Sequence, residues 1–272
     1  MLTVRDLCVD ITGSDGRRVR VVDGIAFTLG KGETLGVVGE SGSGKSMLAL
    51  SIMGLLPAVA HASGEILLQA ENLLTLSEQQ LCGVRGKRIG MIFQEPMTAL
   101  NPAQRVGTQI AEGLIVHAGM SRSDARARAI ELLERVHVPQ AKQRVDAFPH
   151  ELSGGQRQRI GIAIALALRP DLLIADEPTT ALDVTVQKEI LDIFDELVAD
   201  LGMALIFISH DIGVIGRIAD RTLVMLNGKE MEQGPTVRVL RQPSADYTRT
   251  LLAAMPRRTR GHLVAGSLEK QP

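Results

Sequence analysis

Three short stretches of this 272-residue chain have the residue types and spacing for phosphate chemistry. Gly39-Glu40-Ser41-Gly42-Ser43-Gly44-Lys45-Ser46 fits G-x-x-x-x-G-K-[ST] and follows the apolar run Leu35 to Val38, the strand-loop-helix order of a phosphate cradle. Glycines at 39, 42 and 44 let backbone N–H groups converge on phosphate oxygens without Cβ obstruction, while the following helix points its positive end at the same anion. Lys45 is expected to reach the β and γ phosphates, and Ser46 to ligate Mg²⁺. The second stretch, Leu172-Leu173-Ile174-Ala175-Asp176-Glu177, is a buried-strand pattern ending in two carboxylates. Alone, such a pair reads equally well as solvated acids at a strand end. With the glycine loop upstream, Asp176 is read as the acid near Mg²⁺, and Glu177 as the base that polarises water attacking the γ phosphate.

The third stretch is Leu152-Ser153-Gly154-Gly155-Gln156, just before a helix of small and apolar residues that runs to Leu168. Exposed N–H groups and a serine hydroxyl at a helix start make a second anion site. A chain with both a cradle and a separate anion-binding helix start suggests head-to-tail pairing, in which each copy closes over the other's nucleotide.

These residues need strands and helices to hold them. Leu2 to Val9 and Val19 to Leu29, separated by Gly13-Ser14-Asp15-Gly16, predict an N-terminal β hairpin or small sheet. A helix is expected from about Lys45 to Leu55, with strands at Gly64 to Gln69 and Arg88 to Phe93. The segment from about Glu95 to Leu168 turns helical, with Ser121-x-x-Asp124 as a capping start ahead of Ile130, Leu133 and Val136. Strands at Asp171 to Ala175, Met203 to Ser209 and Arg221 to Asn227 then alternate with helices, the pattern of a parallel sheet with crossovers.

Composition narrows the function classes. With 45% hydrophobic and 22% charged residues the chain is globular, and a net charge of -1 supplies no field to gather nucleic acid. Cys8 and Cys82 form no metal-ligand pattern and predict a reducing setting. The longest apolar stretch, Ile160 to Leu168, falls short of the roughly 20 residues that span a bilayer. The N-terminus shows no export signal. Work at a membrane would go through a partner.

In this order the stretches resemble the ATP-binding subunit of an ABC transporter. The resemblance implies an α/β P-loop NTPase fold, an ABC-type ATPase core with an N-terminal antiparallel β subdomain and an inserted α-helical subdomain. It implies one domain over 1–256, with a core of about 1–94 and 169–235, a helical subdomain of about 95–168 and a short tail at 257–272. It makes Gln94 the Q-loop glutamine, a ligand of Mg²⁺ or its water. Ala181-Leu182-Asp183 is similar to the D-loop, and His210 to the switch histidine. Ser153, Gly154, Gly155 and Gln156 would cover the ATP of a second subunit.

Phe93-Gln94-Glu95-Pro96-Met97-Thr98-Ala99-Leu100-Asn101-Pro102, Pro149-His150-Glu151 and Asp246-Tyr247-Thr248-Arg249 are similar to the oligopeptide, dipeptide and nickel importer ATPases. That resemblance implies two transmembrane permease subunits, a second ATPase subunit, related or identical, and an extracytoplasmic solute-binding protein. It places the chain at the cytoplasmic face of a bacterial inner membrane. Ile11 stands where relatives usually stack an aromatic residue on adenine. The basic end from Pro256-Arg257-Arg258 onward has no cysteine, so an iron-sulfur site found in some relatives is not expected. The leading function is ATP-driven uptake of di- or oligopeptides; the same machinery carrying nickel or a metal chelate is the alternative. A soluble ABC-type ATPase acting on nucleic acid or ribosomes is the reading of another class. It is disfavoured because no long heptad run or repeated half appears.

Overall fold

A computed structural model describes residues 1–94, 100–180 and 182–254. Glu95 to Ala99 of the Q-loop stretch, Ala181 of the D-loop and the basic tail from Met255 lie outside the described residues. The chain forms two compact units, Met1–Leu81 with Ala204 onward, and Cys82–Met203.

The first unit begins with β1 (Leu2–Thr12) and β2 (Arg18–Leu29), then β3 (Thr34–Val38), α1 (Lys45–Met53), β4 (Ala60–Leu68) and β5 (Glu71–Asn72). Alternation buries Leu2 and Val4 of β1 and, after a register shift between Val4 and Leu7 where Asp6 has φ 46°, Leu7 and Val9. The hairpin exists as expected and is longer at its turn end, because Gly13 and Arg17 close it by a backbone bond of 2.8 Å. β4 starts four residues earlier than its apolar pattern suggests, since Ala60 pairs with Ile11 at the far end of β1. The antiparallel sheet has the order β2-β1-β4-β5.

Passing through α2 (Glu78–Val84), the chain builds the second unit from β6 (Ile89–Ile92), α3 (Val106–Ala118), α4 (Arg122–Arg135), α5 (Ala141–Arg144), α6 (Gly154–Leu166), β7 (Leu172–Asp176) and α7 (Val184–Leu201). The expected cap is present: the Ser121 side chain accepts the Asp124 N–H at 3.2 Å. Leu133 and Val136 are fully buried. Parallel pairing of β6 with β7 sets Ile92 opposite Ala175, so Gln94 and Glu177 leave the same edge.

The return to the first unit adds β8 (Ala204–Ser209), α8 (Ile212–Ile218), β9 (Arg221–Leu226), β10 (Lys229–Pro235), α9 (Thr236–Arg241) and α10 (Asp246–Ala254). Within this unit β10, β9, β3 and β8 are successive neighbours, with β9-β3 and β3-β8 parallel. Every residue of β3 and β8 is buried, as continuous apolar runs in a covered parallel sheet should be. Asp220 fixes the start of β3 by accepting the Thr34 N–H at 2.8 Å.

Gly36 lets α8 lie directly on β3: a Cβ there would come within 2.4 Å of Ile215 Cγ2 and 2.8 Å of Ala219 Cβ. Gly36→Ala is therefore expected to cost about 1–3 kcal/mol by overpacking, read as a lower denaturant midpoint at unchanged slope. A second stability determinant is the buried Glu232 carboxylate, which accepts from the Ser244 N–H and hydroxyl, both at 2.8 Å, and from the Ala245 N–H at 3.1 Å. Burial pushes its pKa up, but the Ser244 and Ala245 donors outweigh burial and hold it below the usual 4.5. A lowered folded pKa gives stability that is complete above the unfolded value and is lost as pH falls through the folded one. Glu232→Gln should thus lower stability by about 1–3 kcal/mol at neutral pH, with the difference shrinking in acid melts.

Candidate nucleotide site

The glycine loop lies between β3 and α1, and Gly44 is the helix N-cap at φ 97°. Its path is set by backbone crowding. A Cβ on Gly39 would sit 2.1 Å from the Met225 carbonyl oxygen, and one on Gly44 would sit 2.4 Å from that of Val21. The Gly228 N–H donates to Ser43 O at 3.0 Å, and the Asp23 N–H donates to Gly228 O at 2.8 Å. These contacts explain glycine at 39 and 44 more specifically than anion approach does. Lys45 is buried, and its ammonium donates to Gly39 O at 2.7 Å, Glu40 O at 2.8 Å and Ser43 Oγ at 3.4 Å. Glycine-rich backbone, a lysine ammonium and a helix start form a donor set suited to a polyphosphate. α1 ends at Met53, two residues before the predicted limit, with Gly54 as its C-cap at φ 63°.

His210 directly follows β8, and the pairing of Val38 with Ser209 places His210 and Gly39 at the same edge of adjacent strands. This is the carboxyl edge of parallel strands, where α/β folds place ligands. Ile11 is partly exposed near the end of β1.

In the second unit Asp176 is buried at the end of β7. Glu177, the next residue, has φ 48°, a left-handed conformation costly for a side chain with a Cβ. Its Oε2 accepts from the Gln94 amide at 3.3 Å and from the Thr180 hydroxyl at 2.8 Å. The structure thus brings together Gln94 and Glu177, which are 83 positions apart in sequence. Thr180 escaped the sequence reading; its i,i+3 spacing from Glu177 becomes informative only once the turn after β7 is known.

Ser153 to Gln156 form a cluster of their own at the start of α6. Ser153 Oγ accepts the Gln156 N–H at 3.3 Å, and Gln156 Oε1 accepts the Ser153 N–H at 3.1 Å, a reciprocal capping box. The serine is therefore a helix cap as well as a candidate anion ligand. Arg159, buried one turn on, anchors this helix by donating to Val136 O at 3.1 Å, His137 O at 3.0 Å and the Glu189 carboxylate at 2.5 Å. A Cβ on Gly155 would sit 2.8 Å from Val186 Cγ1. Asp183 caps α7, accepting the Thr185 and Val186 N–H groups at 3.0 Å each.

The family model described as ABC transporter matches residues 22–180, more than half of the chain. The chain belongs to the ABC transporter family. It is 49% identical over 258 residues to the oligopeptide transport ATP-binding protein OppD of Bacillus subtilis, covering 94% of this chain and 72% of that protein. It is 51% identical to the peptidoglycan transport ATP-binding protein YejF of Agrobacterium fabrum, covering 94% of this chain and 47% of that longer protein. Among solved structures it resembles the dimeric bacterial ABC transporter cassette MJ0796, with TM-score 0.77 and 27% identity over 87% of this chain and 99% of that one. The same cassette is also known in a post-hydrolysis state with ADP and phosphate. The present ABC protein is an ATPase with the P-loop fold of that family. Among the described residues no helix is long and apolar enough to cross a membrane.

The Glu177 cluster yields a test of Thr180. Replacing Thr180 by Val removes a donor from the carboxylate without touching the glycine loop. ATP turnover is expected to fall about three- to tenfold, with ATP affinity in binding titrations unchanged.

Proposed function

We propose that this ABC ATPase powers an importer whose cargo is di- or oligopeptides, and that Glu177 is its catalytic base. The observation that carries the assignment of the base is the Gln94-Glu177-Thr180 cluster: a carboxylate in left-handed backbone at a strand end, held by two donors. Donors that fix a carboxylate in one orientation let it take a proton from water as that water attacks phosphorus. Lys45 would hold the β and γ phosphates with the N–H groups of the glycine loop, and His210 would contact the γ phosphate. Ser46, Asp176 and Gln94 offer the hard oxygen donors that Mg²⁺ prefers. When bound, Mg²⁺ would neutralise phosphate charge.

We further read Ser153, Gly154, Gly155, Gln156 and Asp183 as the surface that covers the ATP of a second ATPase subunit, related or identical. The exposed helix start at Ser153 and the dimeric state of the MJ0796 cassette support this reading. Two permease subunits and a solute-binding protein would complete the system, with this chain peripheral on the inner membrane. One ATPase domain over 1–256 would hold the core at about 1–94 and 169–235, and the helical subdomain at about 95–168. Peptide cargo is favoured by the oligopeptide naming of OppD.

Affinity purification from native membranes followed by mass spectrometry tests the assembly. A permease pair, a second ATPase and a solute-binding protein are expected; ribosomal or DNA-repair proteins without a permease would sink the transport reading. Glu177→Gln is expected to keep ATP binding, abolish turnover by about a hundredfold or more and accumulate a closed dimer on sizing columns. Normal hydrolysis would remove Glu177 from its role. Ser153→Arg should spare nucleotide binding by the single subunit and prevent the ATP-dependent dimer.

A further inference from the structure

The far end of the chain reaches the glycine loop. The Tyr247 hydroxyl on α10 accepts the Glu40 N–H at 3.2 Å, across 207 sequence positions. That N–H belongs to the same peptide group as the Gly39 carbonyl, which accepts the Lys45 ammonium at 2.7 Å. A single peptide unit is thus hydrogen-bonded at both ends, to the phenol on one side and to the phosphate-binding lysine on the other. Bonds in series through a polarisable peptide strengthen each other, and rotation of that peptide would carry Gly39 O away from Lys45. The Glu40 carbonyl is tied down as well, accepting Lys45 Nζ at 2.8 Å and the Ser43 N–H at 3.1 Å.

The phenol is held firmly enough to act this way. Glu232 accepts the Ser244 and Ala245 N–H groups just ahead of α10, and Thr248, beside Tyr247, is fully buried. Arg249 adds bonds to Pro243 O at 3.2 Å, Ser244 O at 3.1 Å and the Asp246 carboxylate. Tyr247 itself is half-buried. Burial first, and the Glu40 carboxylate as well, push its pKa above the usual 10, so the phenol is neutral at physiological pH.

We propose that Tyr247 is a positioning residue of the nucleotide site: its hydroxyl orients the Gly39–Glu40 peptide and through it Lys45, so that the C-terminal helix sets the affinity for the triphosphate. This rests on the reading of Gly39 to Ser46 as the triphosphate cradle. The chain has one tyrosine and no tryptophan, so ultraviolet emission excited at wavelengths that its five phenylalanines do not absorb reports Tyr247 alone.

The experiment titrates the full chain with inorganic tripolyphosphate and Mg²⁺, which absorb no exciting light, and with ATP by calorimetry. Saturable change of the wild-type emission is expected. Tyr247→Phe should weaken binding of both ligands about five- to tenfold and raise KM correspondingly, with kcat within about twofold and melting temperature little changed. Affinities within about twofold of wild type would overturn the proposal. So would wild-type emission that stays flat while calorimetry records binding, an outcome that does not depend on the variant folding. Lys45→Ala separates the two readings. If it abolishes tripolyphosphate binding while Tyr247→Phe leaves it intact, only the role of Tyr247 fails; if Lys45→Ala binds normally, the cradle itself is misassigned.

Discussion

Backbone crowding at the glycine loop is the constraint on which the candidate nucleotide site depends. The carbonyls of Met225 and Val21 come so near the loop that a Cβ at Gly39 or Gly44 would collide with backbone, which cannot swing aside as a side chain can. Those carbonyls belong to β9 and β2, strands of different sheets in the first unit. The loop is therefore fixed by the surrounding backbone, and its N–H groups and lysine gain their directions from it. A preorganised donor array avoids reorganisation when an anion binds, which is where electrostatic stabilisation gains most of its strength.

The second unit solves a related problem with side chains. Glu177 must stand at a strand end in an unfavourable backbone conformation, and the Gln94 amide and Thr180 hydroxyl hold its carboxylate there. Strain at such a position persists only when neighbours over-determine it. The capping box at Ser153 and the buried Arg159 do the same for the start of α6: one satisfies its first N–H groups and the other ties its side to α4 and α7. In both cases side-chain hydrogen bonds tie a short segment to the elements around it.

Much of the fold was legible where residues bury themselves by a local rule. Continuous apolar runs gave β3, β7 and β8, and the Ser121 cap gave α4. β10 was missed, because Lys229-Glu230-Met231-Glu232-Gln233 reads as polar loop until β9 pairs with it. The early start of β4 was missed for the same reason: its pairing partner, not its own pattern, extends it.

The sequence by itself determined the residues whose role is local. Glycines that open a loop, a lysine that follows them, a serine that caps its own helix and acids that end an apolar strand act over a few positions, where dihedral and capping preferences are written directly in residue type. Only the tertiary structure decided which distant groups meet: Gln94 with Glu177, Asp220 with the Thr34 N–H and Tyr247 with the Glu40 N–H, the last two separated by 186 and 207 positions. Such pairs leave no periodic trace in the chain, because they depend on strand order and helix docking, and the entropy of closing so long a loop is offset by the whole buried core rather than by the pair itself.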